Sequence, residues 1–164
     1  MSSDAISNSY MCTGRMRKIL IQVEDHAEEL FRCGSKIGRY ILFPAYRIDS
    51  KNTINSARGM FPKIGDRMDL TLEAIRRHYV GEKSPLTDVL DRYLDFFELF
   101  VDFEGVVDFW LLNDLVEDHY RVQFFIPFDN IRRNAAPIDM HEYIQLKSAT
   151  VRFLNARTEG IAVQ

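Results

Sequence analysis

Cysteine is scarce in this chain, which limits what could hold it together or carry its chemistry. The 164 residues include two cysteines, Cys12 and Cys33, which form no C-x-x-C pair. Small secreted domains that depend on disulfides have a denser cysteine pattern, so we expect reduced thiols. The four histidines also lack metal-ligand spacing. The sequence therefore predicts neither a disulfide framework nor a metal site.

A long hydrophobic run is also missing. The basic residues Arg15, Arg17 and Lys18 precede the apolar run Ile19–Val23. That run is shorter than a signal-peptide core of about 7–15 residues, and much shorter than a membrane span of about 20. We therefore expect a cytoplasmic protein that does not enter a membrane.

The usual signatures of catalysis are absent. The sequence contains no G-x-x-x-x-G-K-[ST], no G-x-G-x-x-G, no G-x-S-x-G and no H-E-x-x-H. These patterns mark phosphate loops, dinucleotide folds, nucleophile elbows and zinc proteases. Because an active site can also be assembled from distant residues, the sequence leaves open whether the protein is an enzyme. It assigns no catalytic residue and no cofactor.

Apolar residues make up 46% of the chain, enough for one hydrophobic core at this length. The polar, aperiodic segment 1–14 is predicted to be a flexible tail. The single globular domain is predicted to span residues 15–164.

Apolar residues recur at helical spacing over most of that domain. A short helix is expected at 23–33. The main helices are expected at 66–80, 85–101, 106–117 and 139–157, with Asp66 and Asp139 as N-caps and Gly105 between the second and third.

Two short runs, 37–43 and 120–126, are rich in aromatic and β-branched residues and end at Pro44 and Pro127. Both are typical of strands because proline cannot continue a hydrogen-bond ladder. The expected fold class is α+β, a mainly helical single domain with a small β-sheet that contains both runs. Phe97 and Trp110, which lie on the apolar faces of helices, are expected in its core.

Charge is segregated along the chain. Residues 32–78 contain ten Lys/Arg and four Asp/Glu, whereas residues 85–118 contain one Arg and ten Asp/Glu. Five acids fall on one side of the helix predicted at 85–101: Asp88, Asp91, Asp95, Glu98 and Asp102. The two segments could neutralise each other, or the acids could stay solvated or meet a partner. The net charge of −3 argues against nucleic acid as the partner.

Polar side chains are most concentrated between residues 46 and 79. Arginine forks bind carboxylate or phosphate, and asparagine can orient the polar edge of a ligand. The candidate ligand-binding residues are Arg47, Asp49, Asn55, Arg58, Arg76 and His78.

Two interpretations of these residues remain open. In the first, they bind a small anionic ligand that carries phosphate or carboxylate, with Asp49 as partner or general base. In the second, they form a structural polar network inside a non-enzymatic interaction or regulatory domain. Composition does not separate the two.

Three sequence elements in this region, R-I-D, T-I-N-x-A-R-G and I-R-R-H-Y, occur together. Over about residues 37–157 the chain resembles an uncharacterised bacterial family known only as a domain of unknown function. The resemblance implies no activity, substrate or cofactor.

Overall fold

The fold is mainly helical, which confirms the α+β prediction. A computed structural model describes residues 2–3, 36–127 and 135–163. The predictions on Cys12, Cys33 and the helix at 23–33 lie outside these residues, as does most of the predicted tail. The helices are α1 (Ile54–Met60), α2 (Met68–Tyr79), α3 (Thr87–Leu90), α4 (Leu94–Glu98), α5 (Phe103–Phe109) and α6 (Met140–Ala162). The strands are β1 (Ser2–Ser3), β2 (Tyr40–Ile41), β3 (Val116–Glu117) and β4 (Arg121–Val122).

The strands form two separate antiparallel pairs, so the prediction of one sheet containing both 37–43 and 120–126 is wrong. β1 pairs with β2, and β3 pairs with β4 with Val116 opposite Val122. The first run pairs so briefly because its beginning, Ile37–Arg39, is a 3-10 turn packed on α6. The Gly38 N–H donates to the Thr158 hydroxyl at 3.2 Å. A Cβ at Gly38 would lie 2.5 Å from that oxygen, so only glycine fits there.

The predicted helix at 85–101 is broken near its middle. Asp91–Tyr93 is a 3-10 turn between α3 and α4. Two tertiary contacts account for the break. The Tyr93 hydroxyl donates to the Tyr46 carbonyl at 2.8 Å, and the Arg92 guanidinium donates to the Asp88 and Asn52 carbonyls. The helix is therefore interrupted despite its apolar periodicity, because Arg92 and Tyr93 bind the loop around residues 46–52.

The predicted helix at 106–117 begins earlier and ends earlier than expected. α5 starts at Phe103, where the Asp102 carboxylate accepts the Gly105 N–H at 2.9 Å. Gly105 therefore lies inside the helix and does not separate two helices. Leu111 adopts φ 54°, after which the chain continues into β3.

α2 and α6 agree best with the sequence. The prediction that Asp66 caps α2 is wrong, since Asp66 adopts φ 59° and the N-cap is Arg67. The Asp139 cap of α6 is confirmed, with the Asp139 carboxylate 2.8 Å from the Glu142 N–H.

One large core cluster lies between these elements, with a smaller one around Tyr143 and Leu146. Phe97 and Trp110 belong to the large cluster at 2% and 5% exposure, as predicted. Among the described residues no helix is long and apolar enough to span a membrane.

Candidate functional site

Arg58 lies at the centre of the polar segment and is completely buried. Its exposed fraction is 0%. The Nε atom donates to the Thr71 hydroxyl at 2.6 Å, Nη2 donates to the Asp66 carbonyl at 3.2 Å, and Nη1 lies 3.2 Å from the Asp66 carboxylate. The guanidinium carbon also lies 5.8 Å from the centre of the Phe43 ring. The fork of Arg58 is therefore occupied by groups of the protein itself.

A second buried pair follows it, and the sequence did not single it out. Arg67 and Asp69 form a bidentate ion pair at 3% and 0% side-chain exposure. Arg67 also donates to the Ala135 carbonyl at 3.0 Å, and the Asp69 carboxylate accepts the Phe125 N–H at 2.9 Å. This pair connects the start of α2 to two distant segments of the chain. Spacing could not reveal it, because both partners outside the pair are backbone groups.

Arg76 and His78 lie on the last turns of α2 and have acidic neighbours. Arg76 and Arg77 both donate to Glu73, at 2.8 Å and 2.7 Å. Burial raises the pKa of Glu73, but the hydrogen bonds and charges of the two arginines outweigh it and lower the pKa overall. His78 Nδ1 lies 3.2 Å from the Asp91 carboxylate. This His78–Asp91 contact joins the basic segment at 32–78 to one of the five acids on the helix predicted at 85–101.

The other candidates lie at the surface or near it. Arg47 and Asp49 are exposed and form no ion pair within the described parts of the chain. Asp49 and Ser50 adopt φ 54° and 57° in a tight turn. Asn55 is half-buried on α1 and is engaged in an interaction of its own. The six candidates thus differ sharply in burial and partners, from Arg58 at the core to Arg47 in solvent.

Two further arginines were missed by the sequence analysis. Arg157 on α6 is 6% exposed and donates to the carbonyls of Trp110, Gly38 and Tyr40 at 2.7, 2.6 and 2.9 Å. Burial lowers the pKa of its guanidinium. Because all three acceptors are backbone groups, Arg157 fastens α6 to two loops and is a structural residue.

Arg152, one turn earlier, lines a surface groove beside α6. The groove has a volume of about 580 Å³ and is also lined by Asp114, Gln123, Phe125 and Ala156. The Arg152 side chain is exposed and has no hydrogen-bond or ion-pair partner in the described parts of the chain. No motif in the sequence indicated this position.

A different kind of surface lies between α4 and α5. Leu99, Val101 and Phe109 are 74%, 86% and 68% exposed. Five exposed carboxylates surround them in the chain and form no ion pairs with described residues: Asp95, Glu98, Asp102, Glu104 and Asp108. We call these eight residues the acidic–apolar surface.

The negative field of this surface is evident at a neighbouring tyrosine. A hydrogen bond to Glu104, together with burial and the charges of Glu104, Asp108 and Asp102, raises the pKa of Tyr120 to about 12. Ionisation of Tyr120 would add a further negative charge, and the nearby carboxylates oppose it. Glu104, Asp108 and Asp102 therefore raise the pKa of Tyr120 together, and none of the three forms an ion pair with a described residue.

Among the described residues no group of three or more His, Cys, Asp or Glu side chains is arranged to hold a metal ion. Neither a curated protein nor a solved structure matches the chain in the comparisons made. A family model does match, over residues 1–161, so the match includes the first 36 residues that the resemblance at 37–157 left out and ends four residues beyond it. The chain belongs to this family, described as a Family of unknown function (DUF6994).

Proposed function

We propose that this chain is a non-enzymatic interaction domain in which the Arg47–His78 segment provides a structural polar network. The observation that carries the proposal is the complete burial of Arg58. An anion arriving from solvent would have to displace Asp66 from a buried ion pair. The surface that we propose for a partner is the acidic–apolar one. A cytoplasmic location in a bacterial cell and the absence of a nucleic-acid partner belong to the same proposal.

The test is a thermal-shift screen against phosphate, nucleotides, sugar phosphates and dicarboxylates, run on the wild type and on Arg58→Ala. We expect no anion to stabilise the wild type. Arg58→Ala should lower the free energy of unfolding by about 3–5 kcal/mol, with or without anions, because it breaks a buried ion pair. A folded Arg58→Ala protein that has lost an anion-dependent shift seen in the wild type would contradict the proposal.

A second candidate function is binding of a small anionic ligand. Two observations favour it. Arg152 lines a groove whose size falls within the range of about 300–1,000 Å³ typical of ligand pockets, and Arg47 is exposed and has no ion-pair partner among the described residues. Neither guanidinium is paired with a described acid, unlike that of Arg58, so both could bind carboxylate or phosphate.

The same screen separates the two candidates. A ligand at a hundred times its dissociation constant stabilises by about 2.7 kcal/mol. Loss of that shift in Arg152→Ala or in Arg47→Ala would identify the site. Arg121→Ala is the matched control, since Arg121 is an exposed arginine already paired with Glu117 at 2.7 Å.

A further inference from the structure

Phe109, one apolar side chain of the acidic–apolar surface, packs on aromatic rings that lead into the core. The Phe109 ring lies 5.1 Å from the ring of Phe100, which in turn lies 5.3 Å from the buried Trp110 ring. Single exposed apolar residues are ordinary in soluble proteins. Three large exposed apolar residues in so short a stretch, two of them on the same turn, indicate a candidate interaction site.

The turn that carries Val101 is strained. Val101 adopts φ 67°, and the Asp102 N–H donates to the Phe100 carbonyl at 2.7 Å, the pattern of the rare γ-turn with positive φ. A β-branched residue at positive φ is an outlier. Two features hold the turn in place. Asp102 caps α5, and at Gly105 a Cβ would lie 2.1 Å from the Phe100 carbonyl oxygen.

The strained conformation does not bury Val101, which is 86% exposed. Strained residues that persist in folded proteins cluster at functional sites. The turn presents an exposed apolar side chain in a stretch of chain that also carries five exposed carboxylates, which combines the two properties that a docking site needs. The apolar patch supplies binding energy, and the carboxylates select the charge of the partner.

We propose that the acidic–apolar surface binds a basic amphipathic helix of a partner protein. This inference rests on the proposed function and names the chemistry of its partner. The apolar side of such a helix would cover Leu99, Val101 and Phe109, while its lysines and arginines would face the five carboxylates. Charge repulsion argues against other acidic occupants. A second copy would set five carboxylates against five, and nucleic acids or anionic membranes would be repelled.

The experiment uses a synthetic helical peptide of about 18 residues with leucine at i, i+3, i+4 and i+7 and lysine elsewhere. Binding to the full chain is measured by fluorescence anisotropy. Two peptides serve as references: one with glutamate in place of lysine, and one of the same Lys/Leu composition scrambled so that it has no apolar side. We expect the amphipathic basic peptide to bind best, and its affinity to fall as salt is added.

Two pairs of variants locate the binding. Val101→Gly removes the side chain and also relieves the turn, so the protein should remain folded, and Val163→Gly is its control because Val163 is 88% exposed. Glu98→Gln is compared with Glu159→Gln, another exposed glutamate. We expect Val101→Gly to weaken binding by about tenfold, Glu98→Gln to weaken it less, and both controls to stay within about twofold.

Three results would overturn the inference. The first is no binding of the basic amphipathic peptide, the second is equal binding of the scrambled peptide or equal losses in the controls, and the third is a dimer in sedimentation that Val101→Gly dissociates. The proposed function is decided separately by the anion screen, so either can fail without the other.

Discussion

The segment at 47–78 and the segment at 94–109 place their side chains in opposite ways. In the first, charged groups are buried and paired, with Arg58 and Asp69 at 0% exposure. In the second, the carboxylates stay in solvent and apolar side chains join them there, with Val101 at 86%. A high density of polar residues therefore accompanies buried ion pairs in the first segment, while the second supplies Phe97 to the core and also carries exposed apolar side chains.

The two segments differ because their charged side chains have different oppositely charged groups available to pair with. Arg58, Arg67 and Arg76 each have an acid within their own segment, so each can lose water and keep its charge compensated. The segment at 94–109 contains no Lys or Arg, and the nearby Arg92 donates to backbone carbonyls. Its carboxylates form no ion pairs with described residues, so they stay hydrated and keep the turn between α4 and α5 at the surface.

Removing one partner of a buried pair is the most severe test of the first segment. Arg67→Ala should lower the free energy of unfolding by about 3–5 kcal/mol, because Asp69 would remain buried without a cation. Urea denaturation measures it. Arg47→Ala, in the same segment but exposed, should change stability by less than about 0.5 kcal/mol. Equal effects of the two variants would show that the contrast between buried and exposed arginines is wrong.

Two phenylalanines test the second segment in the same way. Phe97→Ala should cost about 3–5 kcal/mol, because the 2% exposed ring leaves a cavity in the core. Phe109→Ala, with a ring 68% exposed, should cost less than about 1 kcal/mol. Thermal unfolding of the two variants side by side is sufficient. A large loss in Phe109→Ala would mean that this ring is covered in solution.

The fold class, α2, α6 and the core positions of Phe97 and Trp110 could all be predicted, because helical periodicity and capping are local signals. The break at Asp91–Tyr93 could not, since it depends on Tyr93 reaching the Tyr46 carbonyl 47 residues away in the chain. The prediction that both runs belong to one sheet was wrong for the same reason. Ile37–Arg39 packs on α6, and no pattern in the sequence of either segment indicates that contact.

The candidate site was predictable in composition but not in geometry. Arg58 was singled out as a candidate ligand-binding residue, yet the sequence could not tell that its partners would be Thr71 and Asp66. Arg152 and Arg157 lie five residues apart on the same helix. Arg157 is buried and donates to three carbonyls, whereas Arg152 is exposed. Burial, which decides such cases, is a property of the whole fold.

Acidification should separate the two segments as well. The pKa of Glu73 is lower in the folded protein than in the unfolded chain, so its contribution to stability is present above its ordinary pKa and disappears as the pH falls through the folded value. Glu73→Gln should therefore destabilise at pH 7, by about 1–2 kcal/mol, and the difference from wild type should shrink towards pH 3. Urea midpoints at both pH values measure it. Glu98→Gln, which removes an unpaired acid, should show no such loss at pH 7.

The smallest expected effect is a gain. At Val101 the positive φ costs an L-residue about 1–2 kcal/mol, and glycine adopts it freely at some cost in chain entropy. Val101→Gly should therefore raise the free energy of unfolding by about 0.5–1 kcal/mol. Chemical denaturation measures the gain, and Val163→Gly, which has no positive φ to relieve, should give none. If Val101→Gly instead destabilises the protein, the valine packs against something in solution, and the two segments would then resemble each other more than their exposure suggests. A gain in stability joined to a loss of peptide binding would establish that this turn keeps its valine for recognition at the expense of the fold.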